Sequence, residues 1–188
     1  MTTLTIYPDA NPKKADVVTS DPAEIGRLLN AVGVRFERWK ADAELAPNAT
    51  PEEVLAAYKT EVARLSAEAG YETIDVIRIT PDNPKKDELR TKFIEEHTHD
   101  EDEVRFFVEG SGAFYLHLAD KVYQVVCTRD DLLSVPAGTQ HWFDMGPEPY
   151  FTAIRLFISP DGWVAKFTGD KISSAIPRFN EEPVRALG

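Results

Sequence analysis

His97-Thr98-His99-Asp100-Glu101-Asp102-Glu103 and, further along, Pro136-Ala137-Gly138-Thr139-Gln140-His141 hold three of the chain's four histidines. On a strand, residues two apart share a face, so His97 and His99 present both imidazoles to one point. Glu103 reaches that point after a short turn, and His141 reaches it from a neighbouring strand. Pro136 fixes φ and Gly138 permits a left-handed corner, so the chain can turn sharply and return His141 toward an interior. Three neutral nitrogens and one carboxylate on one side of a metal leave other coordination positions open, the arrangement of a catalytic centre rather than a sealed structural one. An imidazole pair at i, i+2 is a weak signal alone; the glutamate and the Pro-x-Gly-x-x-His segment give it weight. The competing reading is a charged, solvated hairpin, since Glu95-Glu96 and Asp100-Glu101-Asp102-Glu103 are dense in acid. It leaves the second segment unexplained.

The surroundings of these two segments read as β-structure. Val104–Val108, Ala113–Leu118, Val122–Thr128, Leu132–Val135 and Thr152–Ile158 are strand-like runs. Turn signals separate several of them: Gly110-Ser111-Gly112, Ala119-Asp120-Lys121 and Arg129-Asp130-Asp131. Short strands joined by tight turns predict a barrel or sandwich. Ile74, Val76 and Ile79 mark one more strand, Pro81 to Pro84 a turn, and Asp87 to Phe93 a helical turn leading into the first histidine segment. Residues 161–188 carry Pro177 and Pro183, show little periodicity and are expected to wrap the surface.

The first third is different. Thr3 to Ala10 reads as a strand followed by a loop. A helix begins after Asp21, with Pro22 in its first turn and Ile25, Leu28, Leu29 and Val32 at helical spacing up to Gly33. Val34 and Phe36 suggest a short strand. Thr50-Pro51-Glu52-Glu53 is a capping box, and the helix it opens carries Val54, Leu55, Tyr58, Val62 and Leu65 on one stripe as far as Gly70. No chemistry is visible in residues 1–70.

A chain of 188 residues has room for one domain with a substantial core. Its formal charge of −11 and lack of any basic cluster argue against a nucleic-acid partner. No apolar run approaches the ~20 residues of a membrane span. The N-terminus lacks the pattern of a secretory signal, and the single cysteine, Cys127, excludes an intramolecular disulfide framework. A cytoplasmic protein is expected. No long exposed apolar stripe demands a partner, so a monomer is expected.

The two histidine segments resemble the two motifs of the cupin superfamily. Glu103 followed by Gly110 matches the end of the first motif, and Pro136-x-Gly138-x-x-His141 the heart of the second. Thr91 and Asp130 stand where that pattern has glycines, and Met145 where it often has asparagine. Phe93-Ile94-Glu95-Glu96-His97-Thr98-His99, Glu103-Val104-Arg105-Phe106, Val135 through Asp144 and Arg155-Leu156-Phe157 are more specific: from about Tyr71 to Phe179 the chain resembles the acireductone dioxygenases. The resemblance implies a mainly β fold with peripheral helices, the double-stranded β-helix or jelly-roll barrel of cupins, with helices mostly in the N-terminal third. The regions are then a helical part (1–70), the barrel (71–160) and a tail (161–188) of one domain.

The resemblance also implies an activity. The family cleaves 1,2-dihydroxy-3-keto-5-methylthiopentene with O2 in methionine salvage, using one Fe2+ or Ni2+ per chain. Iron gives the 2-keto acid precursor of methionine and formate; nickel gives methylthiopropionate, formate and carbon monoxide. The metal ligands become His97, His99, Glu103 and His141. Arg105, two residues past Glu103 on the same strand face, becomes the catalytic arginine that helps generate the substrate dianion; an exposed strand arginine is the plainer alternative. Phe93 and Phe143 would wall the substrate pocket, Glu96 would assist metal uptake, and Asp102 would relay conformational change. His117 reads as a hydrogen-bonded strand histidine, Cys127 as a small buried residue, and Trp142 and Trp163 as core or lid. Another cupin dioxygenase or isomerase, or a non-enzymatic metal-binding cupin, remains as an alternative; Arg105 and the aromatic walls favour catalysis.

Overall fold

The computed structural model describes residues 1–181 and the backbone of residues 184–185. In chain order it runs β1 (Thr3–Pro8), β2 (Lys14–Ala15), β3 (Val17–Thr19), α1 (Pro22–Asn30), β4 (Arg35–Arg38), α2 (Pro51–Ala57), α3 (Lys59–Ala69), β5 (Thr73–Ile79) and α4 (Lys86–Phe93). The remainder is β6 (His97–Thr98), β7 (Glu103–Leu118), β8 (Lys121–Thr128), β9 (Asp131–Val135), β10 (Gln140–Asp144), β11 (Tyr150–Phe157), β12 (Lys166–Phe167), α5 (Ile172–Ala175) and β13 (Val184–Arg185). The architecture is mainly β with helices at the periphery, as expected. The tail adds the short elements β12 and α5; Pro183 lies outside the described residues.

Asp21 caps α1 by accepting a hydrogen bond from Ala23 N at 2.9 Å. Thr50 and Glu53 form the expected capping box: Glu53 N donates to Thr50 Oγ1 at 3.3 Å and Thr50 N to Glu53 Oε2 at 2.8 Å. Such a cap contributes about 1 kcal/mol. The single helix read from Thr50 to Gly70 is two helices. Tyr58 leaves the helical region (φ −112°, ψ 25°) and turns its buried side chain onto Phe106, ring edge to ring face at 5.6 Å. Packing against the sheet overrides a continuous helical stripe there.

β7 is the spine of the molecule. Its first half pairs with β9 on one side and β11 on the other; its second half pairs with β8 and β10. Two antiparallel runs, β5-β11-β7-β9-β4 and β12-β6-β10-β7-β8-β1-β3, therefore share this one strand. Gly110-Ser111-Gly112 does not end a strand, as its composition suggests; it bends one. Ala153 pairs with Phe107 and Thr152 with Glu109, so β7 carries an extra residue at the bend.

That bulge reverses the alternation. Before it, Phe107 faces the central core while Val104, Phe106 and Val108 pack outward under the helices. After it, Phe114 and Leu116 face the core, and Ala113 and Tyr115 pack outward. Gly110 makes the bend possible: it sits at φ +64°, and a Cβ there would lie 1.8 Å from Tyr150 O. Asp130, at a family glycine position, takes φ +81° itself, and its Oδ1 accepts from Ala41 N at 2.9 Å. Gly110→Ala combines left-handed strain with a backbone clash and should destabilise the fold by about 3 kcal/mol or more, measured as the loss of unfolding free energy in urea.

Candidate metal centre

β6 and β10 meet directly, with His97 opposite His141. The strand reading of the first segment holds only for His97 and Thr98; His99 follows outside it. The turn that returns His141 is pinned to the first segment twice, by Gly138 N donating to His99 O at 2.9 Å and Ala137 N donating to Asp102 Oδ1 at 2.8 Å. Gly138 takes the left-handed φ of +74° that the sequence pattern calls for. The ligand atoms of His97, His99 and His141 lie within 4.8 Å of one another, and all three residues are buried.

Backbone carbonyls fix which nitrogen of each ring is free. His97 Nδ1 lies 2.8 Å from Glu95 O, His99 Nδ1 3.0 Å from Val164 O, and His141 Nδ1 2.7 Å from Thr139 O. A carbonyl only accepts, so each Nδ1 carries the proton and a neutral ring presents its Nε2 lone pair. Burial, together with the neighbouring His141, pushes His97 down to about 4, so that ring is neutral at pH 7. The His99 ring is pulled upward, because the pull of Glu103 exceeds the cost of burial.

Glu103 enters from the start of β7. Its Oε2 is 3.1 Å from His141 Nε2 and 3.5 Å from His99 Nε2, while its Oε1 accepts from Arg105 Nε at 2.6 Å. Burial opposes ionisation of this carboxyl, but the Arg105 guanidinium beside it overrides that cost and holds it well below the usual range. Nitrogen lone pairs and a carboxylate converging in a buried space repel one another. A shared cation resolves that repulsion, so the donor set fits a divalent metal by its chemistry.

Arg105 is buried, 6% exposed, and its guanidinium lies 4.8 Å from the Phe114 ring centre and 4.7 Å from that of Phe143. Its Nη1 is buried without a hydrogen-bond partner among the described residues. The exposed-strand alternative for Arg105 therefore does not hold. Donors and cluster open into a cavity of about 370 Å3. Phe93 and Phe143 lie on its wall with ring centres 6.4 Å apart. Trp163, expected as core or lid, also lines it, as do Phe114, Phe157 and Arg155, to which the sequence gives no role in the site. Periodicity could not find Phe114, Arg155 and Phe157, because β7 and β11 are largely buried on both faces and the bulge hides which face is inward.

The remaining candidates lie elsewhere. Glu96 is buried outside the cavity lining: its Oε2 is 2.8 Å from His117 Nδ1 and its Oε1 accepts from Thr168 Oγ1 at 2.7 Å. His117 also lies 3.0 Å from Asp9 Oδ2, the hydrogen-bonded strand histidine expected of it. Asp102 holds the Pro136-Ala137-Gly138 turn. Trp142 stacks on Tyr115 in the core, whereas Trp163 is 50% exposed at the cavity. Cys127 is fully buried, and burial pushes its thiol well above its usual value.

Comparison with known proteins points the same way. The model of the ARD/ARD' family matches residues 3–165. The acireductone dioxygenase of Hahella chejuensis is 59% identical over 181 residues, covering 96% of this chain and 97% of that protein. That of Parvibaculum lavamentivorans is 56% identical, covering 97% of this chain and 100% of that protein. A solved structure, acireductone dioxygenase from Bacillus anthracis with cadmium ion in its active centre, matches with a TM-score of 0.77 at 30% identity, over 89% of this chain and 98% of that one. If the cluster is a metal centre, His97→Ala, His99→Ala and His141→Ala should each weaken metal binding by more than about 100-fold, read by elemental analysis after dialysis.

Proposed function

The chain belongs to the ARD/ARD' family, and from that premise we propose that it performs the family's oxidation: cleavage of the acireductone 1,2-dihydroxy-3-keto-5-methylthiopentene by O2 in methionine salvage. The observation that carries the reading is the pairing of a convergent His97–His99–Glu103–His141 donor set with an uncommitted, buried Arg105 donor beside it.

His97, His99, Glu103 and His141 would hold one Fe2+ or Ni2+ per chain. When bound, that ion supplies Lewis acidity and coordination positions open to small ligands. Acireductone is an enediol that becomes an electron-rich dianion on losing two protons. Arg105 is fixed through Nε on Glu103, which leaves Nη1–H to donate to an enediolate oxygen. A fixed guanidinium in a buried site favours the second ionisation of the substrate and is in position before substrate arrives. Phe93 and Phe143 give the methylthio tail an apolar wall. Because Glu103, Arg105 and His141 are all under 10% exposed, the reacting end of the substrate is shielded from bulk water.

Glu96 and Asp102 act from outside the donor set. Asp102 links the two histidine segments through the Ala137 amide, so movement in one reaches the other. Glu96 adjoins His97 and ties β6 to Thr168 just beyond β12, where it could influence entry of the metal. Fe2+ and Ni2+ both accept this nitrogen–oxygen set. The iron form would give 4-methylthio-2-oxobutanoate and formate, and the nickel form methylthiopropionate, formate and carbon monoxide. No described helix is long and apolar enough to cross a membrane. The net charge of −11 and the buried lone cysteine support a cytoplasmic monomer working as one domain on small molecules.

Iron-loaded protein should abolish the ultraviolet band of acireductone in air; persistence of the band with full metal occupancy would refute the reading. Arg105→Ala should keep its metal and lower kcat by roughly 100-fold, measured by stopped-flow absorbance and elemental analysis on the same sample.

A further inference from the structure

The cavity is cationic in an acidic protein. Among the described residues that line it, Lys92, Arg105 and Arg155 carry positive charge and Glu103 alone is a carboxylate, in a chain of net charge −11. Arg155 lies directly opposite Arg105 in the β7–β11 register, and Asp75 lies directly opposite Arg155 in the β11–β5 register. Directly opposed residues share a face of the sheet, so Asp75, Arg155 and Arg105 form one row. Two like charges side by side in such a row are destabilising unless carboxylates or an anion separate them. Each arginine has one carboxylate of its own: Glu103 for Arg105, and Asp75 for Arg155.

Asp75 holds Arg155 as a fork. Arg155 Nε donates to Oδ1 at 2.8 Å and Nη2 to Oδ2 at 2.6 Å. This bidentate pairing fixes the plane of the guanidinium and leaves Nη1 with no hydrogen bond among the described residues. The two arginines also differ in depth. The side chain of Arg105 is 7% exposed and that of Arg155 19% exposed. Arg105 sits against Glu103, beside the convergent donors; Arg155 is paired instead with the more exposed Asp75.

We propose that Arg155 is a specificity-determining residue that recognises the anionic character of the bound substrate. This rests on the acireductone dioxygenase reading of the site. Arg105 acts on the oxygens that react, and Arg155 binds the anion equally in ground and transition states, so its contribution appears in affinity and not in turnover. Asp75 is a positioning residue that orients the fork.

The test compares wild type with Arg155→Met, Arg155→Lys and Asp75→Asn, all iron-loaded. KM should rise about tenfold or more in Arg155→Met while kcat stays within about threefold. Anaerobic titration with acireductone should show the same loss of affinity, independent of turnover. Arg155→Lys restores charge without the fork and should recover part of the affinity. Asp75→Asn should raise KM by a smaller factor. Unchanged KM and affinity in Arg155→Met with full metal would overturn the proposal, as would a fall in kcat at constant KM or a loss of metal. If Arg155→Met does not fold, Arg155→Lys decides: its KM must rise above that of wild type. A wild-type protein that leaves acireductone untouched would instead refute the functional reading beneath the proposal.

Discussion

Electron-rich atoms do not gather in a buried space unless something holds them from behind. In this protein three backbone carbonyls do so, each taking the Nδ1 proton of one imidazole and directing the opposite nitrogen inward. The carbonyls belong to Glu95, Thr139 and Val164, that is, to the first histidine segment, the second, and the loop ahead of β12. Two of these carbonyls lie two residues before the ring they hold, and only the His99 ring depends on a distant one, that of Val164. Arg105 completes the arrangement by offsetting the charge of Glu103, which makes a fully buried carboxylate tolerable.

The sheet delivers these groups through one irregularity. Without the extra residue at the bend of β7, the interior positions of its first half would keep the same parity through its second half. Glu103, Arg105 and Phe107 would then share their face with Tyr115, and Phe114 would leave the cavity that Arg105 now enters. Gly110 and Gly112 serve the same corner from both sides: one takes the positive φ, and the other leaves room for the Phe143 ring, 2.3 Å from where a Cβ would stand. The Phe143 ring in turn lies against Arg105. Backbone geometry, aromatic packing and charge placement therefore meet at one bend.

The acidic run after His99 illustrates how a local reading falls short. Its composition is that of a solvated turn, yet each acid ties down a different piece of chain. Asp100 pairs with Lys166 of β12, Glu101 accepts from the amides of Ile158 and Ser159 at 2.9 Å each, and Asp102 accepts from Ala137. Exposed pairs such as Asp100–Lys166 contribute under about 1 kcal/mol. The amide contacts matter more, because they fix where loops bordering the cavity begin.

The donor set was legible in the sequence because its chemistry is scarce. With four histidines in the chain, His97, His99 and His141 stand out by type and spacing before any fold is known, and the Thr50 capping box is similarly local, its partners three residues apart. Arg155, Phe157 and Trp163 carry no such mark, and neither do the break at Tyr58 or the uninterrupted course of β7 through Gly110. Each depends on contacts between residues dozens of positions apart, and on a single inserted residue that decides which side of a strand faces inward. Residue type and short-range spacing therefore set which groups could bind a cation. Strand register and the bulge decided which charges and rings surround it, because a side chain's face is fixed by pairing across the sheet and not by its neighbours in sequence.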